Sequence, residues 1–198
     1  MKTALMGLSG AAAAGTGATG YYLYSRNSGE ETIRSKVSSL QLISSLSLSK
    51  EEMEQQWKEE FNLDKEEIKK VVTGIQEDSK GGEALSAWCN DSLSKSPTEP
   101  LLTNVKKWCV VGTIESRIGK GKQFLEESGS EWESKWSTNT DATKRQKVGL
   151  TGSKDQNNNN KDSDIGTIKK FCRDNRTKKF LAKEKTTVYD VVLEWCTK

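Results

Sequence analysis

Apolar positions in this chain fall into short helical stripes set in long polar stretches. Ile33, Val37, Leu40 and Ile43 recur at spacings of three and four, one face of a helix. Met53, Trp57 and Phe61 repeat every fourth residue behind Ser49-Lys50-Glu51-Glu52, a capping-box pattern in which hydroxyl and carboxylate bond each other's backbone N–H groups. Asp64 with Glu67 predicts the cap of a further helix carrying Ile68, Val71, Val72 and Ile75, with Gly74 leaving its end open. Pro97 and Pro100 break the chain. Pro100 suits the first turn of a new helix, where its missing N–H costs nothing, with Leu101, Val105, Trp108 and Cys109 on one side and Gly112 as its stop. Thr113 to Glu127 predicts a short helix with Ile114 and Ile118 in phase. Trp132 and Trp136, four apart, share a face and read as core or partial core sooner than as exposed anchors. Ser137 to Asp164 holds almost nothing apolar and includes the run Asn157 to Asn160. Such a segment cannot offset its ordering entropy, so residues 137–164 are expected to form a mobile loop. Helical spacing resumes with Ile165, Ile168, Phe171 and Cys172. It ends with Val188, Val191, Val192, Trp195 and Cys196, a helix started by Thr187 with Asp190.

Every cysteine follows a large aromatic residue: Trp88-Cys89, Trp108-Cys109, Phe171-Cys172 and Trp195-Cys196. Four positions before each cysteine stands an apolar residue, Leu85, Val105, Ile168 or Val192, one helical turn below it on the same face. Four such faces are expected to build one core in which rings fill volume and sulfurs meet. Three arrangements follow. The even count fits disulfides in an exported protein. A reduced core would use cysteine as a small hydrophobe. A metal site is discounted, because cysteine-only zinc sites bring paired ligands from one short knuckle and none is present. The cysteines fall into two sequential pairs, Cys89 with Cys109 and Cys172 with Cys196. A bridge within each pair would staple a helix to its neighbour and contribute roughly 3 kcal/mol in the chain-entropy model. All three connectivities remain open.

Residues 1–26 differ from the rest. No charge lies between Lys2 and Arg26, a run long enough to cross a hydrocarbon core of about 30 Å as a helix of about 20 residues. Tyr21, Tyr22, Tyr24 and Arg26 sit at its far end in the manner of a membrane interface. The run is mostly Ala and Gly, small residues that suit close helix approach but make insertion marginal. An uncleaved signal-anchor is the favoured reading. The alternatives are a cleaved export signal, with Ala12 and Ala14 near the cleavage site, and a Gly/Ala tail with no membrane role. In the first two the rest of the chain leaves the cytoplasm, and Glu30 and Glu31 beyond Arg26 favour an inside N-terminus. The absence of any cysteine before Cys89 excludes a lipid-modified N-terminal cysteine.

Composition narrows the chemistry. Of 198 residues, 33% are hydrophobic and 30% charged, with a net charge of +3 and no histidine. The near balance of charge does not demand a nucleic-acid partner. Without histidine the commonest general base and metal ligand are missing, so an enzyme would rest on carboxylates or lysine, and no motif marks such a site. Gly119 to Phe124, Gly-Lys-Gly-Lys-Gln-Phe, lacks the spacing and the hydroxyl residue of a phosphate loop. The cations Lys169, Lys170, Arg173, Arg176, Lys178, Lys179, Lys183 and Lys185 read as a solvated face sooner than as a binding patch. Asn90 and Asn175 head glycosylation sequons, a pattern common by chance.

Leu85 to Cys89, Asn104 to Ile118, Phe124 to Lys135, Ile168 to Cys172 and Val191 to Thr197, behind an Ala/Gly-rich N-terminal segment, resemble the paralogous families of N-terminally anchored or exported proteins of haemotropic mycoplasmas. The likeness covers most of the chain. It implies surface exposure, with variation among copies serving immune evasion or attachment to red cells. It carries over no activity, cofactor or catalytic residue. The expectation is therefore a mainly α chain: a signal or anchor segment at 1–26, a polar helical stalk (or an N-terminal helical pair of the domain) at 27–82, and a Trp/Cys-rich helical domain at 83–198. The expected role is interaction or antigenicity at the cell surface, with the membrane and an unspecified host or cell-surface molecule as partners. The rival readings are an exported enzyme without histidine chemistry and a cytoplasmic basic binding module.

Overall fold

The computed structural model describes residues 31–119, 121–154 and 159–198. The expectations for residues 1–26, including the interface residues Tyr21, Tyr22, Tyr24 and Arg26, lie outside them. No helix among the described residues is long and apolar enough to cross a membrane. These residues are mainly helical: α1 (Ile33–Lys36), α2 (Lys50–Leu63), α3 (Lys65–Val71), α4 (Gly81–Ser92), α5 (Glu99–Trp108), α6 (Glu131–Thr138), α7 (Ala142–Lys147), α8 (Lys161–Arg176) and α9 (Asp190–Cys196), joined by 3-10 turns and by a π-helical turn, Lys185–Tyr189, that runs into α9. Three isolated antiparallel bridges replace sheet.

The capping box of α2 is made in full: Glu52 N donates to Ser49 Oγ at 3.2 Å, and Ser49 N donates to Glu52 Oε2 at 3.0 Å. The first turn of α4 presses against α2, and two glycines make this possible. A Cβ on Gly81 would lie 2.2 Å from the Phe61 ring, and one on Gly82 would lie 2.7 Å from the backbone N of Lys58. Pro100 sits in the first turn of α5.

The four aromatic–cysteine faces build two cores. One gathers Ile33, Ile43, Trp57, Phe61, Ile68, Leu85, Cys89, Val105, Trp108 and Cys109. The other gathers Ile114, Leu125, Trp132, Trp136, Val148, Ile168, Cys172, Phe180, Trp195 and Cys196. The division falls between Cys109 and Ile114, so the molecule has two lobes, each closed by one cysteine pair. Helices α1 to α3, from the segment read as a stalk or a helical pair, share the first core with Cys89 and Cys109.

The second lobe repeats the first. Thr32-Ile33-Arg34-Ser35-Lys36-Val37 returns as Thr113-Ile114-Glu115-Ser116-Arg117-Ile118. In both copies the serine Oγ donates to the threonine carbonyl, at 2.7 and 2.9 Å, and the serine N–H donates to the threonine hydroxyl. Ile33 N donates to Lys95 O at 2.9 Å and Ile114 N to Lys178 O at 2.8 Å, each acceptor six residues past the first cysteine of its pair. Ile43 N donates to Cys109 O and Leu125 N to Cys196 O, beside the bridges Leu42–Val110 and Phe124–Thr197. Glu52-Met53-Glu54-Gln55-Gln56-Trp57 of α2 answers to Glu131-Trp132-Glu133-Ser134-Lys135-Trp136 of α6.

Five local expectations are corrected. The stripe from Ile33 to Ile43 is broken: the helix stops at Lys36, Ile43 starts a 3-10 turn, and Leu40 is 41% exposed. Ser38 and Ser45 hydroxyls donate to the carbonyls three residues back, a local alternative to continuing the helix. Thr113 to Glu127 keeps only the 3-10 turn Glu115–Arg117, because its backbone is spent on bridges to Lys179 and Thr197 and Gly121 takes a φ of 84°. The loop expected at 137–164 is structured wherever it is described. It holds the end of α6, all of α7 and the start of α8, anchored by buried Arg145, Val148 and Leu150. Two of its asparagines, Asn157 and Asn158, lie outside the described residues. Asp64 makes no side-chain cap on α3; its Oδ2 accepts the Trp108 indole N–H at 2.8 Å and pairs with Lys107. Thr187 likewise donates to Glu184 O from within the π turn and starts no helix.

Candidate functional site

The cysteine pairs are the first group of named residues to place. Cys89 and Cys109 lie 2.03 Å apart at sulfur with Cα atoms at 5.6 Å; Cys172 and Cys196 lie 1.98 Å apart with Cα atoms at 5.5 Å. Both are disulfide distances. All four cysteines are buried, and Leu85, Val105, Ile168 and Val192 beneath them are each fully buried. The aromatic neighbours divide. Trp108 and Trp195 lie in the cores, whereas Trp88 and Phe171 are half-buried at their edges. Trp88 and Phe171 precede cysteines inside a helix, where neighbours are turned by about 100° and the sulfur takes the core side. Trp108-Cys109 and Trp195-Cys196 lie at helix ends, and both members are buried. Trp88 then packs edge-on against Trp108 at 5.8 Å. The Trp195 indole N–H is buried with no protein partner, and no cluster of metal-ligating side chains occurs among the described residues.

A second constellation sits where the lobes meet. Gln56 of α2 donates to Phe180 O at 3.3 Å and to Glu60 Oε1 at 3.1 Å, while its Oε1 accepts from Ala182 N at 2.7 Å. Glu60 pairs with Arg117 across the seam, Oε2 to Nε at 2.7 Å, without the alignment of a hydrogen bond. Arg117 Nη2 donates to Val110 O, and Tyr189 OH donates to Arg117 O at 2.7 Å. Burial raises the Glu60 carboxyl above its ordinary value, against the opposing pull of Arg117 and Gln56. Burial, helped by Asp190 and Glu60, pushes the Tyr189 hydroxyl up to about 12. A cavity of about 90 Å³ opens beside this network, lined by Glu60, Asp64, Lys107, Trp108, Ser116 and Arg117. Ser116 Oγ is committed to Thr113 O and Asp64 to Trp108 and Lys107, so the cavity offers no nucleophile with a free base. Its polar groups tie two lobes together.

The basic C-terminal residues are mostly held one by one: Lys170 by Asp174, Arg173 by Glu127, Arg176 by Glu115, Lys183 by Glu52 and Lys185 by Asp190. Lys169 lies over the Trp132 ring, 5.8 Å from its centroid. Of the two sequons, Asn90 is exposed on α4. Asn175 is buried and donates to Phe171 O at 2.7 Å, so it has no face to offer a glycan.

Besides the seam network and the repeat between the lobes, sequence reasoning missed two features. Arg145 is buried in the supposed loop, donating from Nε to Gly152 O at 3.2 Å and from Nη2 to Asp164, which also accepts the Trp136 indole N–H. The other is an open groove of about 920 Å³ between α2 and α4, with Met53 and Trp57 on its floor. Comparison of the chain with protein-family models, with curated proteins and with solved structures finds no match.

Proposed function

We propose that this chain is an exported surface protein held to the membrane by its N-terminal segment, with its helical part outside the cytoplasm in an interaction or antigenic role. The observation that carries the reading is the cysteine arrangement: every cysteine sits at disulfide distance from another, and none is free. Disulfides persist in oxidising compartments and are rare where thiols are kept reduced. The uncharged run before Arg26 supplies the means of export or anchoring. A cytoplasmic basic module is less favoured because most of its cations are already paired. An enzyme is less favoured because the polar cavity contains no activated nucleophile.

The test is differential alkylation in intact cells. Thiols are blocked with one reagent, the protein is reduced, and newly freed thiols take a second. Second-label modification of Cys89, Cys109, Cys172 and Cys196, together with loss of the helical part to protease added outside the cells, supports the proposal. First-label modification of all four, or full protection from protease until lysis, overturns it.

A further inference from the structure

The lobes differ where α4 passes α2. In the second lobe the matching channel, between α6 and α8, is filled from within. Trp132 is buried there, Lys169 lies over its ring, and Lys161 reaches Glu133. The first lobe aligns with these helices in sequence but lacks the filler, and where the second carries Asp164 and Ile165 it carries Gly81 and Gly82, which press against α2. Met53 stands where Trp132 does, Ser86 replaces Lys169, Ala87 replaces Lys170 and Asn90 replaces Arg173. Glu54, the counterpart of Glu133, retains its carboxylate; it is 68% exposed and reaches only Lys50, at 3.9 Å, among the described residues. What remains is the groove of about 920 Å³, with Met53 and Trp57 as its apolar floor and Glu51 and Glu54 on either side of Met53.

We propose that this groove is a docking site for a partner peptide presenting an aromatic side chain next to a lysine or arginine. The occupant is read from the second lobe, which supplies to itself an indole, a covering lysine stem and an ammonium on the equivalent glutamate. An incoming ring covers Met53 and Trp57, and its neighbouring cation takes Glu54 from the loosely held Lys50; the rim as a whole is neutral, with Lys50, Lys58 and Lys80 beside Glu51, Glu54 and Glu83, so the cation is selected at Glu54 itself. One aromatic anchor and one exposed ion pair make a small, transient interface, so the dissociation constant is on the order of 100 μM to 1 mM. The site stands or falls independently of where the cell places the protein.

The experiment is an NMR titration of the ¹⁵N-labelled, oxidised full chain with N-acetyl-Trp-Lys-amide, and with N-acetyl-Trp-Glu-amide as the acidic comparison. Saturable amide shifts confined to residues around Met53, Trp57, Ser86 and Asn90 are expected, at least about fivefold tighter for the lysine probe. Met53→Trp with Ser86→Lys, which installs the filler of the second lobe, should weaken binding at least about tenfold. Ser86→Lys alone, on a partly exposed position, serves if the double variant does not fold, and Glu54→Gln should weaken the lysine probe only. Four outcomes overturn the proposal: no saturation by about 10 mM, where a single-anchor contact would saturate; equal shifts in the filled variants; equal binding of the acidic probe; or groove shifts that follow protein concentration without probe, which would assign the groove to a second copy of this chain.

Discussion

Gly82 offers the sharpest test of how the first lobe is packed, because two effects of one methyl group have opposite signs. In a helix free of neighbours, Gly→Ala stabilises by up to about 1 kcal/mol, since alanine has less backbone freedom to lose. At Gly82 the new Cβ would lie 2.7 Å from Lys58 N and 2.9 Å from Lys58 Cα and Trp57 C, all backbone atoms of α2. None of them can rotate away. To reach ordinary contact, beginning near 3.4 Å, α4 must move off α2 along its whole first turn and loosen the Phe61 contact made by Gly81. Overpacking of this kind costs typically about 1–3 kcal/mol, so Gly82→Ala should be net destabilising by about 1–2 kcal/mol. Gly166, inside α8, is the matched control, with nothing within 4 Å of its added Cβ. Gly166→Ala should stabilise by about 0.5–1 kcal/mol. Urea unfolding of the oxidised protein, followed by far-ultraviolet circular dichroism, gives both changes on one scale. A Gly82→Ala protein as stable as the parent, or more so, would refute the close packing of α4 on α2.

Other consequences can be checked together. Arg145→Met keeps most of the side-chain volume but strands the Asp164 carboxylate, which is mostly buried. A loss of about 2–4 kcal/mol is expected, with hydrogen exchange rising first around α7; unchanged protection there would mean the segment is held by Val148 and Leu150 alone. Replacing Cys89 and Cys109 together by serine should cost roughly 3 kcal/mol and lower protection in the first lobe while the second keeps its own, and simultaneous loss in both would mean a single cooperative unit. Tyr189, held near 12 against an ordinary 10, gives stability that is complete below pH 10 and is lost as pH rises toward 12. Tyr189→Phe should flatten alkaline unfolding in that window. Glu60, raised by burial, has the same sign at lower pH: its contribution is complete below its ordinary value and is lost as pH rises through the raised one. Glu60→Gln should remove that slope, and an unchanged slope would place the titration elsewhere.

Much of the helical layout was legible because its causes are local. The Ser49–Glu52 box, the spacing of Met53, Trp57 and Phe61, and Pro100 in a first turn each act within one or two helical turns, and each is present. The apolar residue four before each cysteine also lies buried where helical geometry puts it. The repeat of Thr32 to Val37 in Thr113 to Ile118 stands in the sequence but is no part of its reading, because Ile33 to Ile43 and Ile114 with Ile118 each keep helical phase and suggest longer helices. Arg145 and the groove were not legible. A buried arginine looks like any surface cation until Asp164, Gly152 and Trp136 are brought around it. An open channel between α2 and α4 becomes visible only against its filled counterpart.

By itself the sequence determined that the chain is mainly helical, where most helices start, that no histidine chemistry is possible, and which face carries each cysteine. These follow from side-chain spacing, capping chemistry and composition, which act over a few residues. Only the tertiary structure decided that four cysteine faces make two cores, that Cys89 meets Cys109 and Cys172 meets Cys196, that residues 33–72 belong to the first core, and that Glu60 meets Arg117 at the seam. Those outcomes depend on which surfaces pack together. That choice is set by shape and by the pairing of buried polar groups between residues far apart in the chain, and local periodicity does not encode it.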